Sequence, residues 1–380
     1  MRFEEAYTGW GERRLTQVQA AELLGVCTRT FRRYIHRYES EGLNGLLDKR
    51  MSRISHRRAP VDEVMRMVGR YRRRHEGWSV KHYYAWYRRD GGTRSYNWVR
   101  THLQAAGAVE KSPRKGAHRK RRERAPWPGM LLHQDGSPHE WVQGRTWDLI
   151  VTMDDATSEH YSMFFCEEEG TVSSFTGVRE VIESRGLFCS LYTDRASHYW
   201  STPQAGGKVD KTNLTQFGRA MKQLGVEMIP GYSPEARGRS ERAFRTHQGR
   251  LPKELAALSI TTMAEANRYI KEVYRPAFNE EFMQPPKDHG SAFVALRDPG
   301  VLDDILCQEY ERVVRRDNCV RFDGLTLQIP ADRHRCHYIK AQVKVRRHMD
   351  GTLTISHGPR HLAWYAQNGE ELKDEWPAAA

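Results

Sequence analysis

The chain has 380 residues, more than one ordinary hydrophobic core accommodates, so we expect two to four domains. Its formal net charge is +13, and the basic excess is confined to residues 1–125, which carry 30 lysines and arginines against 13 acidic residues. The sequence has no apolar stretch of the ~20 residues that span a bilayer and no signal-peptide core, which argues against a membrane-spanning or secreted protein. Its six cysteines include no Cys-x-x-Cys pair, which argues against a zinc ribbon or a disulfide framework. We therefore expect a soluble protein of the bacterial cytoplasm.

Residues 1–55 are predicted to form a helix-turn-helix domain. Thr16 is suited to cap a short helix that runs to Leu24, Gly25 breaks that helix, and Thr28 is expected to cap a second one. The shared apolar face is predicted to consist of Val18, Leu23, Val26, Phe31 and Ile35. The outward residues of the second helix are basic: Arg29, Arg32, Arg33 and Arg37. A basic second helix after a glycine turn is typical of DNA-reading units, and an ordinary helical hairpin is the alternative.

A second helix-turn-helix domain is predicted over residues 56–110. Its helices cover 61–74, 79–88 and 95–106, separated by the pairs Gly77-Trp78 and Gly91-Gly92. The start of the last helix is where a recognition helix reads base edges, and it carries Tyr96, Asn97 and Arg100. The aromatic residues of this unit are expected to form its core.

The segment 111–126 is predicted to be a basic linker. Residues 111–124 hold eight lysines and arginines and one glutamate, without apolar periodicity. The candidates for phosphate contacts in this segment are Arg119, Lys120, Arg121 and Arg122. A solvated tether without DNA contacts is the alternative, and the sequence leaves both open.

Residues 127–275 are predicted to form an RNase H-like α/β domain. The expected order is three strands at 131–136, 146–153 and 160–166, a helix at 172–185, a strand at 188–193, a helix at 213–224, a strand at 226–229 and a long helix at 235–256. Turn signals at Gly144 and 155–158 make the first three strands an antiparallel meander. Three strands followed by alternating helices and strands is the order of the RNase H-like fold.

Three carboxylates fall where this fold can bring them together. Asp135 lies in the first strand, Asp194 at the C-terminal end of the fourth strand, and Glu241 in the early turns of the long helix. Converging anions repel one another and need a divalent cation. Hard oxygen ligands suit Mg²⁺, for which Mn²⁺ can substitute. We therefore expect these residues to be the catalytic triad and the ligands of two Mg²⁺ ions that clamp the attacking and leaving oxygens of a phosphodiester.

Other acidic residues compete for these roles. Asp154 and Asp155 are adjacent, but the run Asp-Asp-Ala-Thr-Ser is typical of a hairpin turn, which we favour. Glu235 lies at the start of the long helix, where a carboxylate commonly satisfies free backbone amides, so we favour Glu241. The run Glu167-Glu168-Glu169 is expected to be a solvated loop.

Several polar and aromatic residues near the three carboxylates are expected to support the site or to line it. His133 shares the strand face of Asp135 and is either a partner of that carboxylate or, as we favour, a core histidine. Arg245 follows Glu241 by one helical turn, so it is expected to face a phosphate. The predicted lining of the substrate groove is His139, Trp141, Ser233 and Arg245.

Three segments carry a resemblance to a known family. The segments are Gln134-Asp135-Gly136-Ser137-Pro138-His139, Tyr192-Thr193-Asp194-Arg195, and Ser233-Pro234 through Gly238-Arg239-Ser240-Glu241-Arg242. Together they resemble the signature blocks of the DDE transposases of the retroviral-integrase superfamily, in the manner of ISNCY-type bacterial insertion sequences. The resemblance covers about residues 10–295 and implies that Asp135, Asp194 and Glu241 form the metal-binding triad. The interval from Asp194 to Glu241 is longer than in the shortest integrases, and helix-turn-helix units replace the integrase zinc module.

The C-terminal part is predicted to be a helix at 260–276, a connector over 276–300 and a small β-barrel over 301–380. Strands are expected at 319–322, 325–329, 342–347 and 352–357, with Asp-Gly turns between them. The basic residues Lys344, Arg346, Arg347 and His348 could touch DNA or only solubilise the surface.

These features predict a DNA transposase. It would bind the terminal inverted repeats of its insertion sequence and catalyse Mg²⁺-dependent strand cleavage and strand transfer. Its expected partners are double-stranded DNA, as transposon ends and target, and further copies of itself, because paired ends imply symmetry. No membrane contact is expected, and the protein should associate with the nucleoid. The alternative is a catalytically silent helix-turn-helix regulator derived from a transposase, which would bind DNA without using the three carboxylates.

Overall fold

A computed structural model of the chain describes residues 2–48, 59–111, 123–204, 207–232, 234–331 and 335–372, with the backbone alone at 234–237. The chain divides into two compact units, Met1–Gly69 and Arg70–Ala380, which are taken in turn. The six-part division expected from sequence remains a prediction. Among the described residues, no helix has both the length and the apolar character needed to cross a bilayer.

The first unit is helical. Its helices are α1 (Arg2–Gly11), α2 (Gln17–Leu23), α3 (Thr28–Glu41), α4 (Leu43–Leu46) and the beginning of α5 (Val61–Arg74). Thr16 caps α2 through a reciprocal hydrogen-bond pair with Gln19, as predicted. The N-cap of α3 is Cys27 rather than Thr28, which is the first helical residue.

The core of this unit corrects part of the predicted apolar face. Phe31 and Ile35 are buried as expected, against three small residues, Ala6, Ala20 and Ala21. Val18 and Leu23 are 54% and 55% exposed, because the alanine face of α2 packs inward instead. The partners of that core include aromatic side chains of α1, a helix that the sequence analysis missed although its aromatic residues recur at helical spacing.

The second unit begins with two helices in addition to the end of α5. These are α6 (Val80–Arg89) and α7 (Tyr96–Ala105). Ser79 and Ser95 cap them by accepting hydrogen bonds from backbone amides of the first turn, as predicted. Trp78 and Tyr83 are buried, which confirms their assignment to the core.

A five-stranded mixed sheet follows. Its strands are β1 (Leu132–Val142), β2 (Arg145–Asp154), β3 (His160–Cys166), β4 (Ser190–Thr193) and β5 (Glu227–Pro230). The sheet order is β3-β2-β1-β4-β5, with β1, β2 and β3 antiparallel and β4 parallel to both β1 and β5. This topology confirms the predicted RNase H-like fold, and β1 is longer than expected.

Helices cover both faces of this sheet. They are α8 (Thr171–Arg185), α9 (Gln216–Gln223), α10 (Pro234–Ala257), α11 (Met263–Tyr269), a π-helical turn (Ile270–Tyr274) and α12 (Arg275–Phe282). One apolar cluster joins α8 and α9 to β4, and another joins α10, α11 and α12 to β1, β2 and β3. The helix predicted at 260–276 therefore continues to Phe282 through the π-helical turn.

Antiparallel sheets form the C-terminal region after a short helix, α13 (Val301–Ile305). The strands are β6 (Gln308–Val313), β7 (Cys319–Phe322), β8 (Leu325–Gln328), β9 (Gln342–Arg347), β10 (Leu353–His357) and β11 (Arg360–Tyr365). They build a four-stranded sheet, β11-β10-β9-β6, and a two-stranded sheet, β7-β8, around one shared core. The predicted small all-β region is confirmed, and β6 and β11 were not anticipated.

Candidate functional site

Two of the three predicted carboxylates belong to neighbouring segments at the centre of the sheet, one in β1 and one directly after β4. In the parallel pair of β1 and β4, His133 is opposite Tyr192. Continuing that register by two residues brings Asp135 opposite Asp194, the residue that follows the end of β4. Residues in register on neighbouring strands point to the same face of a sheet. Asp135 is 9% exposed and Asp194 is half-buried, so the pair faces a sheltered position.

The face that carries Asp135 is the one covered by α10. Ser137, two residues along β1, accepts a hydrogen bond from Gln248 of α10 at 3.0 Å. Trp141, six residues after Asp135 in β1, lies on the same face and is fully buried in the cluster that contains Leu251 and Leu255 of α10. Since Trp141 is a core residue, its predicted place in a substrate groove is wrong. Ser233, which was also predicted to line that groove, lies outside the described residues.

Glu241 lies on α10 two turns before Gln248, a spacing that places both on one side of the helix. Its side chain is exposed. Within the described ranges of the chain, no three histidine, cysteine, aspartate or glutamate side chains are grouped closely enough to hold a metal ion. The register thus carries Asp135 and Asp194 towards each other from neighbouring strands, and Glu241 lies on the helix that packs against the same face.

A buried tyrosine connects the aspartate pair to a further acidic residue. The Tyr199 hydroxyl lies 3.2 Å from Oε1 of Gln134, 3.1 Å from Oγ of Ser174 and 3.4 Å from Oε1 of Glu169. Burial raises the pKa of Tyr199 well above its usual value, and the charges of Glu169, Asp135 and Asp194 raise it further. Three carboxylates therefore act on one phenol, which stays protonated and can donate a hydrogen bond.

Glu169 corrects the expectation that residues 167–169 form a solvated loop. Glu167 and Glu168 are exposed, but the side chain of Glu169 is only 18% exposed and lies 3.6 Å from Nε2 of His198. Its carboxylate also occupies the space where a Cβ atom at position 136 would stand, so Gly136 makes room for it. Nothing in the local sequence separates Glu169 from its two acidic neighbours, because its contacts come from β1 and from the segment after β4.

The acidic pair at the β2–β3 turn has the structural role that we favoured. Asp154 accepts hydrogen bonds from the backbone amides of Gly129 at 2.9 Å and Thr157 at 2.8 Å. Asp155 accepts from Nε2 of His133 at 2.8 Å and from the Ala125 amide at 2.8 Å, and it pairs with Arg239 of α10.

Both turn carboxylates are fully buried, yet their pKa values shift in opposite directions. Burial raises the pKa of Asp154, and its backbone hydrogen bonds do not fully offset that effect. Burial acts on Asp155 in the same sense, but its hydrogen bonds with His133 and Ala125 and the charge of Arg239 outweigh it, so the pKa of Asp155 lies below its usual value. His133, 2% exposed and bound to Asp155, is the core histidine that we expected.

The predicted DNA-binding residues of the helical units are mostly open to solvent. On α3, Arg29, Arg32, Arg33 and Arg37 are all exposed. Asn97 and Arg100 of α7 are exposed, whereas Tyr96 is half-buried with its ring edge against Tyr84. Arg245 of α10 is exposed as well. Four predicted contacts lie outside the described residues: Arg119, Lys120, Arg121 and Arg122.

The basic residues of the C-terminal sheets are bound to other parts of the chain. Lys344 pairs with Glu309 at 2.7 Å, and Arg346 pairs with Asp304 at 3.1 Å and with Glu309 at 3.3 Å. Arg347 pairs with Asp323. These contacts favour a structural role for this group, one of the two alternatives that the sequence left open.

Comparison with known proteins shows what this chain is similar to. A family model described as a winged helix-turn helix matches residues 5–67, in agreement with the helix-turn-helix predicted there. The transposase for insertion sequence IS1202 of Streptococcus pneumoniae is 30% identical over 237 residues, 62% of this chain and 50% of that protein. The putative transposase y4bF of Sinorhizobium fredii is 27% identical over 350 residues, 90% of this chain and 75% of that protein. The chain thus spans about half the length of the first relative.

Solved structures with similar chains include retroviral integrases. A chain of the simian T-cell lymphotropic virus intasome in complex with PP2A regulatory subunit B56 gamma matches 71% of this chain and 88% of its own, at 13% identity and a TM-score of 0.34. The HTLV-2 integrase catalytic core domain in complex with magnesium matches 39% of this chain and 87% of its own, at 14% identity and a TM-score of 0.31. The chain is thus similar in sequence to insertion-sequence transposases, in one case over most of its length, and its N-terminal segment matches a winged helix-turn helix family.

Proposed function

We propose that this protein is a transposase that binds the terminal inverted repeats of its own insertion sequence and catalyses metal-dependent cleavage and transfer of DNA strands. The observation that supports this most is the parallel register of β1 and β4, in which His133 is opposite Tyr192, two residues before Asp135 and Asp194, on a strand whose Ser137 binds α10. A pair of aspartates at the end of a central parallel strand is suited to bind a divalent cation.

The proposed metal ligands are Asp135, Asp194 and Glu241. Their carboxylates are hard oxygen donors, which fits two Mg²⁺ ions or Mn²⁺ in their place. Such ions, when bound, lower the pKa of the attacking hydroxyl and stabilise the leaving oxygen. Asp135 and Asp194 supply the fixed part of the site, and Glu241 on α10 completes the set. Exposed Arg245, one turn after Glu241, is placed to bind a substrate phosphate.

DNA binding is proposed to occur mainly through the basic N-terminal third. The exposed arginines of α3 would contact bases and phosphates, and Asn97 and Arg100 would do so on α7. The residues of 111–124 would follow the phosphate backbone. Because two transposon ends must be joined, we propose that the complex with DNA contains more than one copy of the chain.

The test is cleavage and strand transfer on DNA taken from the flanks of the gene, with Mg²⁺ and with EDTA. Wild-type protein should nick and join strands only with the metal, and Asp135→Asn should abolish both steps while it binds the same DNA with unchanged affinity. Glu140→Gln is the matched control, since Glu140 lies on the same strand but is exposed and caps the β1–β2 turn at Gly144. A wild-type protein that binds DNA and never cleaves it would instead indicate the silent regulator.

A further inference from the structure

One buried carboxylate joins three segments that matter for the proposed site. Asp155 is fully buried at the β2–β3 turn and binds His133 of β1, Arg239 of α10 and the backbone amide of Ala125. Nothing in its sequence context, a hairpin-turn motif, indicates this role. The contacts come from segments far apart in the chain, and the turn is where they meet.

Each of the three segments leads directly to a functional element. His133 is two residues before Asp135 on the same strand face, and Arg239 is two residues before Glu241 on α10. Ala125 follows the basic segment 111–124. Its neighbour Arg124 donates to the carbonyl oxygens of Asp155 at 2.9 Å and Ala156 at 3.1 Å, and to Oγ of Ser158 at 2.9 Å.

The physical chemistry of a buried charge makes this arrangement restrictive. An ionised carboxylate without solvent is tolerated only when donors and cations surround it. If α10 shifted away from β1, Asp155 would lose Arg239 while still buried, and such a loss is costly. The same holds if the chain segment at 124–125 detached. The geometry therefore resists independent movement of the linker end, β1 and α10.

We infer that Asp155 is a positioning residue for the candidate catalytic centre: it holds the helix of Glu241 and the strand of Asp135 in one arrangement and ties both to the end of the basic linker. This inference rests on the proposed function. It gives the linker a mechanical role, because DNA bound along residues 111–124 would pull on the same carboxylate that orients α10. Asp155 touches neither substrate nor metal in this scheme and acts only through its partners.

The experiment compares Asp155→Asn with Asp154→Asn in the full chain. Asp154 is a matched control, because it is equally buried in the same turn but its described hydrogen bonds go to Gly129 and Thr157 rather than to α10 or the linker. Hydrogen exchange by mass spectrometry should show faster exchange in the first turns of α10 and at 123–126 for Asp155→Asn. Asp154→Asn should leave both peptides as in wild type.

Two further measurements test the link to the site. Electron paramagnetic resonance of free Mn²⁺ should show a dissociation constant about 10-fold weaker for Asp155→Asn, the lower end of the range for removing a direct partner of a metal ligand, because Asp155 acts through His133 and Arg239. On DNA ends, kcat for cleavage should fall by a similar factor with KM unchanged. Equal exchange and equal Mn²⁺ affinity in the Asp155 and Asp154 variants would overturn the inference.

Arg239→Gln keeps the inference testable if Asp155→Asn does not fold. It removes only the α10 side of the arrangement, so it should speed exchange in α10 but not at 123–126. Where Asp155→Asn does fold, the losses of Mn²⁺ affinity in the double variant should be less than additive, because the two substitutions share the contact between Asp155 and Arg239. If wild-type protein neither binds Mn²⁺ nor cleaves DNA, the proposed function fails, and the exchange data alone then decide whether Asp155 fixes α10.

Discussion

A buried chain of two histidines and a tyrosine leads to a prediction about acid stability. His160 Nδ1 lies 3.1 Å from the Ser158 carbonyl oxygen, its Nε2 lies 3.0 Å from Nε2 of His247, and Nδ1 of His247 lies 3.0 Å from the Tyr274 hydroxyl. A carbonyl only accepts, so Nδ1 of His160 carries the hydrogen and its Nε2 accepts from His247. His247 in turn accepts from Tyr274. A proton added to His160 would place its Nε2–H face to face with the Nε2–H of His247.

The magnitude follows from the burial of these rings. Burial lowers the pKa of His160 from 6.5 to about 4, and burial and the neighbouring His160 lower the pKa of His247 as well. One pKa unit corresponds to about 1.4 kcal/mol, so His160 alone contributes about 3 kcal/mol that is present above its unfolded pKa. As the pH falls, the unfolded chain takes up the proton first. The contribution is therefore lost between about pH 6.5 and pH 4, and about 2 kcal/mol is gone at pH 5.

The assay is urea unfolding at about pH 7.5 and pH 5, followed by tryptophan fluorescence, for wild type and His160→Gln. The free energy of unfolding should fall by about 2 kcal/mol more in wild type than in the variant, because glutamine does not titrate. The lowered pKa values of His75 and His82 contribute equally to both proteins. His289→Gln, at an exposed site, should behave like wild type. An equal pH dependence in wild type and His160→Gln would refute the reasoning.

Three further outcomes are expected. Gly186→Ala should lower the free energy of unfolding by about 3 kcal/mol, since position 186 has φ of +104° and an added Cβ would stand 2.5 Å from a backbone carbonyl oxygen. Gly225→Ala, at φ +73° with open space around it, should lower it by only about 1 kcal/mol, and similar losses in the two variants would contradict this reasoning. Arg33→Ala should reduce the slope of log affinity for DNA against log salt by about one, and an unchanged slope would remove Arg33 from the phosphate contacts. Glu254→Gln should lower the free energy of unfolding by about 2 kcal/mol, and with it the thermal midpoint, because Glu254 is buried and accepts a hydrogen bond from Nε2 of His82 at 2.7 Å. An unaltered midpoint would show that this contact does not stabilise the fold.

The sequence predicted the order of the elements in the RNase H-like domain because its signals are local. Alternating apolar runs and the glycine turn at Gly144 each act over a few residues, and so do the serine caps at Ser79 and Ser95 in the helical unit that precedes this domain. The same holds for the placement of Asp135 and Asp194 at strand positions, since a parallel sheet converts strand order into proximity.

The remaining features depend on contacts between distant segments. Glu169 differs from Glu167 only in what lies opposite, and Asp155 obtains its partners from β1, α10 and the linker end. The alanine face of α2 is buried because it packs with α1, a short helix that the sequence did not predict, and this packing leaves Val18 exposed. Packing partners of this kind are not encoded in a local pattern.

The central claim is that Asp135, Asp194 and Glu241 share bound metal. It is tested most directly by anomalous diffraction from crystals of the full chain with transposon-end DNA and Mn²⁺. We expect an anomalous peak between the carboxylates of Asp135 and Asp194, with a carboxylate oxygen of Glu241 in the coordination shell of at least one ion. Peaks confined to other acidic residues, or Glu241 turned away from an occupied site, would contradict it.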